Sequence, residues 1–310
     1  MPDMPAKLDL AVGGQALIEG VMIRAPKAIG IAVRTPSGQI VLKHEVFESF
    51  TARFRILKLP IVRGVVNLIE TMVIGVRALN FSAEKAFDEG EEKDLPKAPK
   101  SRLHKVGDGV LFGLNILFSL ALAIALFKFV PLFIATWLQK FSPALANSTI
   151  LFNLTDGAIR IAIFFLYIFI LSLIPAFHRV FEYHGAEHKA VFAYEQGLTL
   201  NYENTQKQSP RHPRCGTSFI MIVLIVSILI LSLVPRNPDF VLNLLARISV
   251  LPLIAGLSYE VLKWTARYQK HPLLKILTYP GIVTQYITTK EPDKKQIEVA
   301  IAALETAVKV

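Results

Sequence analysis

Residues 217–235 read TSFIMIVLIVSILILSLVP, nineteen consecutive positions without a charge. The hydrocarbon core of a bilayer is roughly 30 Å thick, so a helix rising about 1.5 Å per residue needs about 20 apolar residues to cross it. This stretch meets that length, and three others resemble it. Residues 109–127 are also uncharged over nineteen positions, and 161–177 are uncharged between Arg160 and His178. Residues 240–262 form the fourth run, interrupted by Arg247 and closed by Glu260. A charge about two turns inside such a segment requires snorkelling, a carboxylate partner or a watery cavity. The expected fold class is an α-helical polytopic membrane protein with about four spans.

These runs raise the composition, 53% hydrophobic over 310 residues, and the mean hydropathy, +0.46. That much apolar surface excludes global disorder. A single cysteine, Cys215, excludes an intrachain disulfide. The 34 Lys and Arg exceed the 24 Asp and Glu by ten, but charged residues total only 19%. The basic residues alternate: sixteen before the first run, then two, five and one in the successive loops, and eight in the tail. By the positive-inside rule both termini and the middle loop are expected in the cytoplasm. Much of the excess charge is then topogenic, the partner is the lipid bilayer, and nucleic acid is not expected. Residues 1–10 include Pro2, Asp3, Pro5, Lys7 and Asp9 and hold no apolar core of a secretory signal.

The remaining sequence suggests a small cytoplasmic α+β portion. Residues 1–60 are expected to form a β-containing unit, with a hairpin of 29–35 and 39–47 around Pro36-Ser37-Gly38. Gly13, Gly14 and Gly20 allow tight backbone approach, as turn or packing glycines or, more weakly, as a phosphate-cradling loop. Residues 61–82 place Arg63, Asn67, Glu70 and Arg77 on one helical stripe with apolar residues around it. That pattern predicts an amphipathic helix, in the membrane interface or packed on the spans, with a fifth span as the alternative. Residues 83–108 read as a polar linker. The four spans and a middle cytoplasmic loop at 178–216 occupy 109–262, and 263–310 form a tail. In that tail Asp293 can cap a helix whose N3 residue is Gln296.

The middle loop holds four of the seven histidines and the only cysteine. His184 and His188 are one helical turn apart, and Glu187 lies near the same face. His-x-x-Glu-His is the order of inverzincin metallohydrolases, whose two histidines bind zinc and whose Glu is the general base. Further on, His212-Pro213-Arg214-Cys215 puts an imidazole and a thiol three apart, in a turn that Pro213 restricts. His184, His188, His212 and Cys215 would make a tetrahedral set, and a thiolate among imidazoles suits Zn over Mg or Ca, with another divalent transition metal as the alternative. With all four bound the site is closed and structural. With three bound and water in the fourth place, Glu187 can act as catalytic base. Arg211 and Arg214 are either topogenic or hold an anion, and Glu203 and Asn204 are candidates for a further ligand or for orienting groups.

The stretches Gly13-Gly14-Gln15-Ala16, Glu19-Gly20-Val21-Met22, Glu182-Tyr183-His184-Gly185-Ala186-Glu187-His188-Lys189 and His212-Pro213-Arg214-Cys215-Gly216-Thr217-Ser218-Phe219 resemble the bacterial YqhQ-like membrane family. Thr288-Thr289-Lys290-Glu291-Pro292-Asp293 resembles it too, so the resemblance covers nearly the whole chain. That family is catalogued as a domain of unknown function and described as predicted metal-dependent enzymes. The resemblance implies a multi-pass protein of the bacterial inner membrane with a metal site at His184, His188, His212 and Cys215, and it supplies no substrate. The functional expectation is an integral membrane metalloprotein, a zinc-dependent hydrolase acting on a lipid-linked or membrane-embedded substrate at the cytoplasmic interface. The alternative is a non-enzymatic channel, transporter or scaffold with a structural metal, in which Arg247, Glu260 and the Arg63–Glu70–Arg77 stripe carry function. A homo-oligomer is compatible with either.

Overall fold

The computed structural model describes residues 12–54, 56–87, 102–237, 239–267 and 272–308. The chain is mostly helical with one small sheet, and its residues fall into two compact units. The first unit draws on residues 12–87, 168–223 and 255–308, the second on 102–167 and 224–254.

In the first unit four strands form an antiparallel meander in the order β1 (Gly13–Leu17), β2 (Gly20–Arg24), β3 (Ala28–Arg34) and β4 (Ile40–Val46). The expected hairpin is β3–β4, in register from Ala28↔Val46 to Arg34↔Ile40. Its turn closes at Gly38, whose φ of 86° favours glycine. Gly13 and Gly14 lie in β1, paired with Arg24 and Ile23, which excludes the phosphate-loop alternative.

Helix α1 (Val62–Ala86) covers one face of the sheet. The alternation of β3 explains how the two faces differ. Ile29, Ile31 and Val33 join Leu17 and Met22 against Ala78, Ala86, Ile74 and Phe81. Ala28, Gly30 and Ala32 leave the opposite face shallow, and a C-terminal helix settles into it. A Cβ at Gly30 would lie 2.3 Å from Ala303 O, so the helix touches the strand backbone.

Three residues of the polar stripe of α1 find partners within this unit, and the fourth, Arg77, is exposed. Arg63 pairs with Glu260 through Nε–Oε1 at 2.6 Å and a second contact. Asn67 donates to the Tyr259 hydroxyl, and buried Glu70 accepts from Ser49 Oγ and Phe50 N. Ile69, Met72 and Val73 stay exposed.

The other helices follow in chain order. Helix α2 (Arg102–Ile124) passes through a π-turn at Ala125–Phe129 into α3 (Val130–Leu138). Then come α4 (Thr149–Ser172), α5 (Pro175–Glu195), α6 (Gly216–Leu233), α7 (Phe240–Ser249), α8 (Leu251–Arg267), α9 (Pro272–Thr288) and α10 (Lys294–Val308). Among the described residues, four stretches are long and apolar enough to cross a membrane: Gly113–Phe141, Thr149–Ser172, Gly216–Leu233 and Phe240–Thr265.

Several boundaries differ from expectation, and the second stretch begins at Thr149 instead of residue 161, with Arg160 inside it. The first stretch runs past Lys128 because the π-turn keeps the helix continuous there. The second ends at Ser172, because Leu173 and Ile174 leave the helix and Pro175 starts a new one, a position where its missing N–H costs nothing. The histidine pair therefore sits on its own helix, α5, and not on an extension of the second span. Of the expected linker, 83–86 and 102–108 are helical, and 88–101 fall outside the described residues. Residues 1–10 do too.

Helix α10 is capped as its sequence implies. Asp293 Oδ1 accepts from Gln296 N at 2.7 Å, and Gln296 Oε1 accepts from Asp293 N at 2.8 Å.

Candidate metal centre

Helix α5 presents His184, His188 and Glu195 along one face, at spacings of four and seven. Its opposite side is fixed by burial: Tyr183, Ala186 and Ala190 pack with Val21, Ile23, Ala300 and Leu304. Its first turns are tied to the β1–β2 turn, where Glu19 takes two contacts from Arg179 and one from the Tyr183 hydroxyl at 3.1 Å. Gly185 lets the chain after α9 cross the helix closely. A Cβ there would lie 2.0 Å from Lys290 O. That crossing makes two hydrogen bonds, Lys290 N to Phe181 O at 2.9 Å and His184 Nδ1 to Thr288 O at 2.8 Å.

The second half of the site is the turn before α6. Gln285 on α9, fully buried, clamps it: Oε1 accepts from His212 N at 2.7 Å and Nε2 donates to His212 O at 2.9 Å. The amide orientation is fixed, since only this assignment satisfies both backbone groups. Cys215 follows, 6% exposed, with Thr217 N donating to its sulfur at 3.4 Å.

Together these elements bring three of the four expected ligands to one point. A nitrogen of His184, a nitrogen of His188 and Sγ of Cys215 all lie within 4.8 Å of one another. His184 Nε2 is 3.1 Å from Sγ. Each imidazole gives its Nδ1–H to a carbonyl, His184 to Thr288 O and His188 to Pro210 O at 2.7 Å. A carbonyl only accepts, so both Nε2 atoms are left as the ligating nitrogens. His188 Nε2 is buried and has no hydrogen-bond partner.

His212 is not the fourth member of that cluster. Its Nδ1 accepts from Arg214 N at 3.2 Å and its Nε2 faces Glu195 Oε2 at 3.3 Å. Both nitrogens are thus committed, and Phe192 packs against the ring at 4.3 Å. Glu195 also takes the Arg214 guanidinium. Arg211 stacks on Tyr286 at 4.1 Å. Asn204 builds the 199–208 turn, accepting from Gln208 and donating to Thr199 O, and Glu203 is exposed.

Glu187 is buried, with Oε2 3.5 Å from His188 Nε2. Gly14 makes its place: a Cβ there would meet Glu187 Cγ at 2.8 Å. Beside the carboxylate is a cavity of about 30 Å³ lined by Gly13, Gly14, Glu187, His188, His212, Arg214 and Cys215 among others. That is room for about two waters.

Electrostatics favour a ready thiolate. Burial opposes the charged His184 ring, yet the neighbouring Cys215 sulfur carries its pKa up to about 9. Burial likewise opposes the Cys215 thiolate, and His184 and His188 outweigh it, holding the thiol well below its ordinary value. His212 is pushed down to about 4, first by burial and then by His188, so it is neutral.

Glu195, Gln285 and the two carbonyls were not among the residues singled out by sequence. Glu195 had a signal, eleven residues after His184 on the same helical face. Gln285 and Thr288 had none, because their role exists only once α9 lies beside the turn.

The fold and site define a helical protein with four candidate membrane spans and a sheet-backed His, His, Cys cluster. It belongs to a family without an assigned activity: residues 59–310 match the family described as "Protein of unknown function (DUF1385)". Over 301 residues the chain is 36% identical to the "Uncharacterized protein YqhQ" of Bacillus subtilis (strain 168), covering 95% of this chain and 91% of that protein. No solved structure matches.

Proposed function

We propose that this chain is a multi-pass membrane metalloprotein, a zinc-dependent hydrolase of the cytoplasmic membrane face. His184, His188 and Cys215 would hold the ion and Glu187 would serve as general base. The observation that carries the reading is the buried Nε2 of His188, which has no hydrogen-bond partner and lies close to a nitrogen of His184 and the sulfur of Cys215. A buried polar atom without a partner costs about 1–3 kcal/mol, and a cation shared by the three donors removes that cost. Two imidazoles and a thiolate suit Zn before harder ions, with other divalent transition metals next.

The ion, when bound, acidifies a water towards a pKa of about 7. The protein's own part is positional. Thr288 O and Pro210 O fix the two tautomers, Gln285 holds the turn that carries Cys215, and Glu187 faces the cavity to take a proton. His212 then acts as a positioning residue through Glu195 and Arg214. The distribution of Lys and Arg supports cytoplasmic termini and a site on that side, within reach of lipid-linked or membrane-embedded substrates.

One contact favours a second reading. Glu187 lies near enough to His188 Nε2 to be a fourth ligand itself, which would close the site and make the metal a structural pin for a channel, transporter or scaffold. Metal analysis of detergent-purified chain, followed by X-ray absorption, decides between these. Stoichiometric zinc with three protein ligands, retained in Glu187→Gln, supports the hydrolase. Loss of the ion from Glu187→Gln supports the structural pin. Wild type without a stoichiometric transition metal overturns both.

A further inference from the structure

The second unit buries a group of charges that the metal centre does not use. Asp156 and Arg160 lie one turn apart on α4, with Arg160 Nη2 2.5 Å from Asp156 Oδ2. Arg247 on α7 reaches the same oxygen at 2.8 Å and also contacts Asn153 Oδ1. Arg160 donates to Ser227 on α6 at 2.8 Å, and Asn153 donates to Leu231 O at 2.8 Å. Asp156, Arg160 and Arg247 are each 3% exposed or less. Lys128, 8% exposed, lies on the π-turn, whose Phe129 packs edge-on at 5.4 Å against Phe240 of α7, the helix that carries Arg247. It makes no hydrogen bond or ion pair among the described residues.

Two arginines thus share one carboxylate inside an apolar helical unit that also buries Lys128. An uncompensated buried charge is costly, and charges buried among membrane-type helices mark binding sites or pathways. The unused atoms say what is missing. Arg160 Nε and Arg247 Nε are buried donors without partners, and Asp156 Oδ1 is a buried acceptor without one. A π-turn, a common accompaniment of functional sites, places Lys128 there.

We propose that Lys128, Arg160 and Arg247 form a binding site for a phosphate oxyanion that also carries a hydroxyl. The negative oxygens balance the excess cations and take the two Nε–H groups and the Lys128 ammonium. The hydroxyl donates to Asp156 Oδ1. Inorganic phosphate in its monoanionic form has this chemistry, and so does a phospholipid headgroup bearing a hydroxyl, such as phosphatidylglycerol. The inference is independent of the hydrolase reading, since its residues belong to the other unit.

The test uses the full chain in phosphatidylcholine nanodiscs, titrated with radiolabelled inorganic phosphate, and in nanodiscs doped with phosphatidylglycerol. Wild type should show saturable phosphate binding, or a rise in melting temperature with phosphatidylglycerol. The first result assigns a soluble anion and the second a lipid headgroup. Lys128→Met should weaken the response roughly tenfold or more. Without the probe it should melt no lower than wild type, because it removes an unpaired buried charge. Lys140→Met, at an exposed position, should respond like wild type. No response of wild type to either probe overturns the proposal, whatever the variants do. So does Lys128→Met binding with wild-type affinity.

Discussion

Replacing Gly185 with alanine tests the crossing that orients the first histidine. The added methyl would sit 2.0 Å from Lys290 O, 3.2 Å from its carbonyl carbon and 3.4 Å from Pro292 Cδ. Restoring ordinary contact means moving the 288–291 backbone by about 1.4 Å. Overpacking of this kind costs about 1–3 kcal/mol. The shift also strains two hydrogen bonds, Lys290 N to Phe181 O and His184 Nδ1 to Thr288 O, each contributing about 0.5–1.5 kcal/mol. Against this, alanine in a helix gains about 1 kcal/mol over glycine. The expected net loss is about 1–3 kcal/mol, which corresponds to several degrees of melting temperature at about 2–4 °C per kcal/mol. The single cysteine gives a local readout, because Cys215 is 6% exposed and touches His184. Its reaction with a thiol dye should speed up roughly fivefold or more as the site opens. Gly113→Ala, where a Cβ meets nothing within 4 Å, is the control. A Gly185→Ala protein that melts at or above wild type and labels at the wild-type rate would refute the close crossing.

Gln285→Leu should leave His212 N–H without its partner and His212 C=O with only the 3.3 Å bond from Cys215 N. One orphaned buried N–H at about 1–3 kcal/mol and a weakened carbonyl bond predict a loss of stability and faster Cys215 labelling than in wild type. Unchanged labelling would mean that the turn holds without the clamp. Gly30→Ala drives a methyl into Ala303 O at 2.3 Å and Ala307 N at 2.6 Å, and backbone on a packed helix yields little. A loss of about 1–3 kcal/mol is expected in thermal melts, and a neutral result would show that α10 does not seat on the strand.

Several features were legible because they are local. The β3–β4 hairpin follows from a turn triplet between two β-rich runs, and the capping box of α10 from Asp293 and Gln296 three apart. The His184–His188 pair follows from one turn of helix. Apolar length alone located four candidate spans, though not their ends. Pro175 and the π-turn at Ala125–Phe129 moved two boundaries, and neither alters the average hydropathy that marks a span.

What sequence could not decide was which partner each polar group takes. Spacing grouped His212 with Cys215, yet His212 turns to Arg214 N and Glu195. Arg247 and Glu260, thirteen residues apart, belong to separate networks: Arg247 pairs with Asp156 on another helix and Glu260 with Arg63. Gly13-Gly14 admitted several readings, and only the packing of α5 on β1 shows that Gly14 clears space for Glu187. Periodicity records the face a side chain occupies along its own helix or strand. Hydrogen bonds and ion pairs extend about 3 Å, so their partners are fixed only when distant elements come together. By itself the sequence determined the helical, span-bearing class, the basic alternation and the residues able to ligate a metal. Tertiary structure decided that three of them meet.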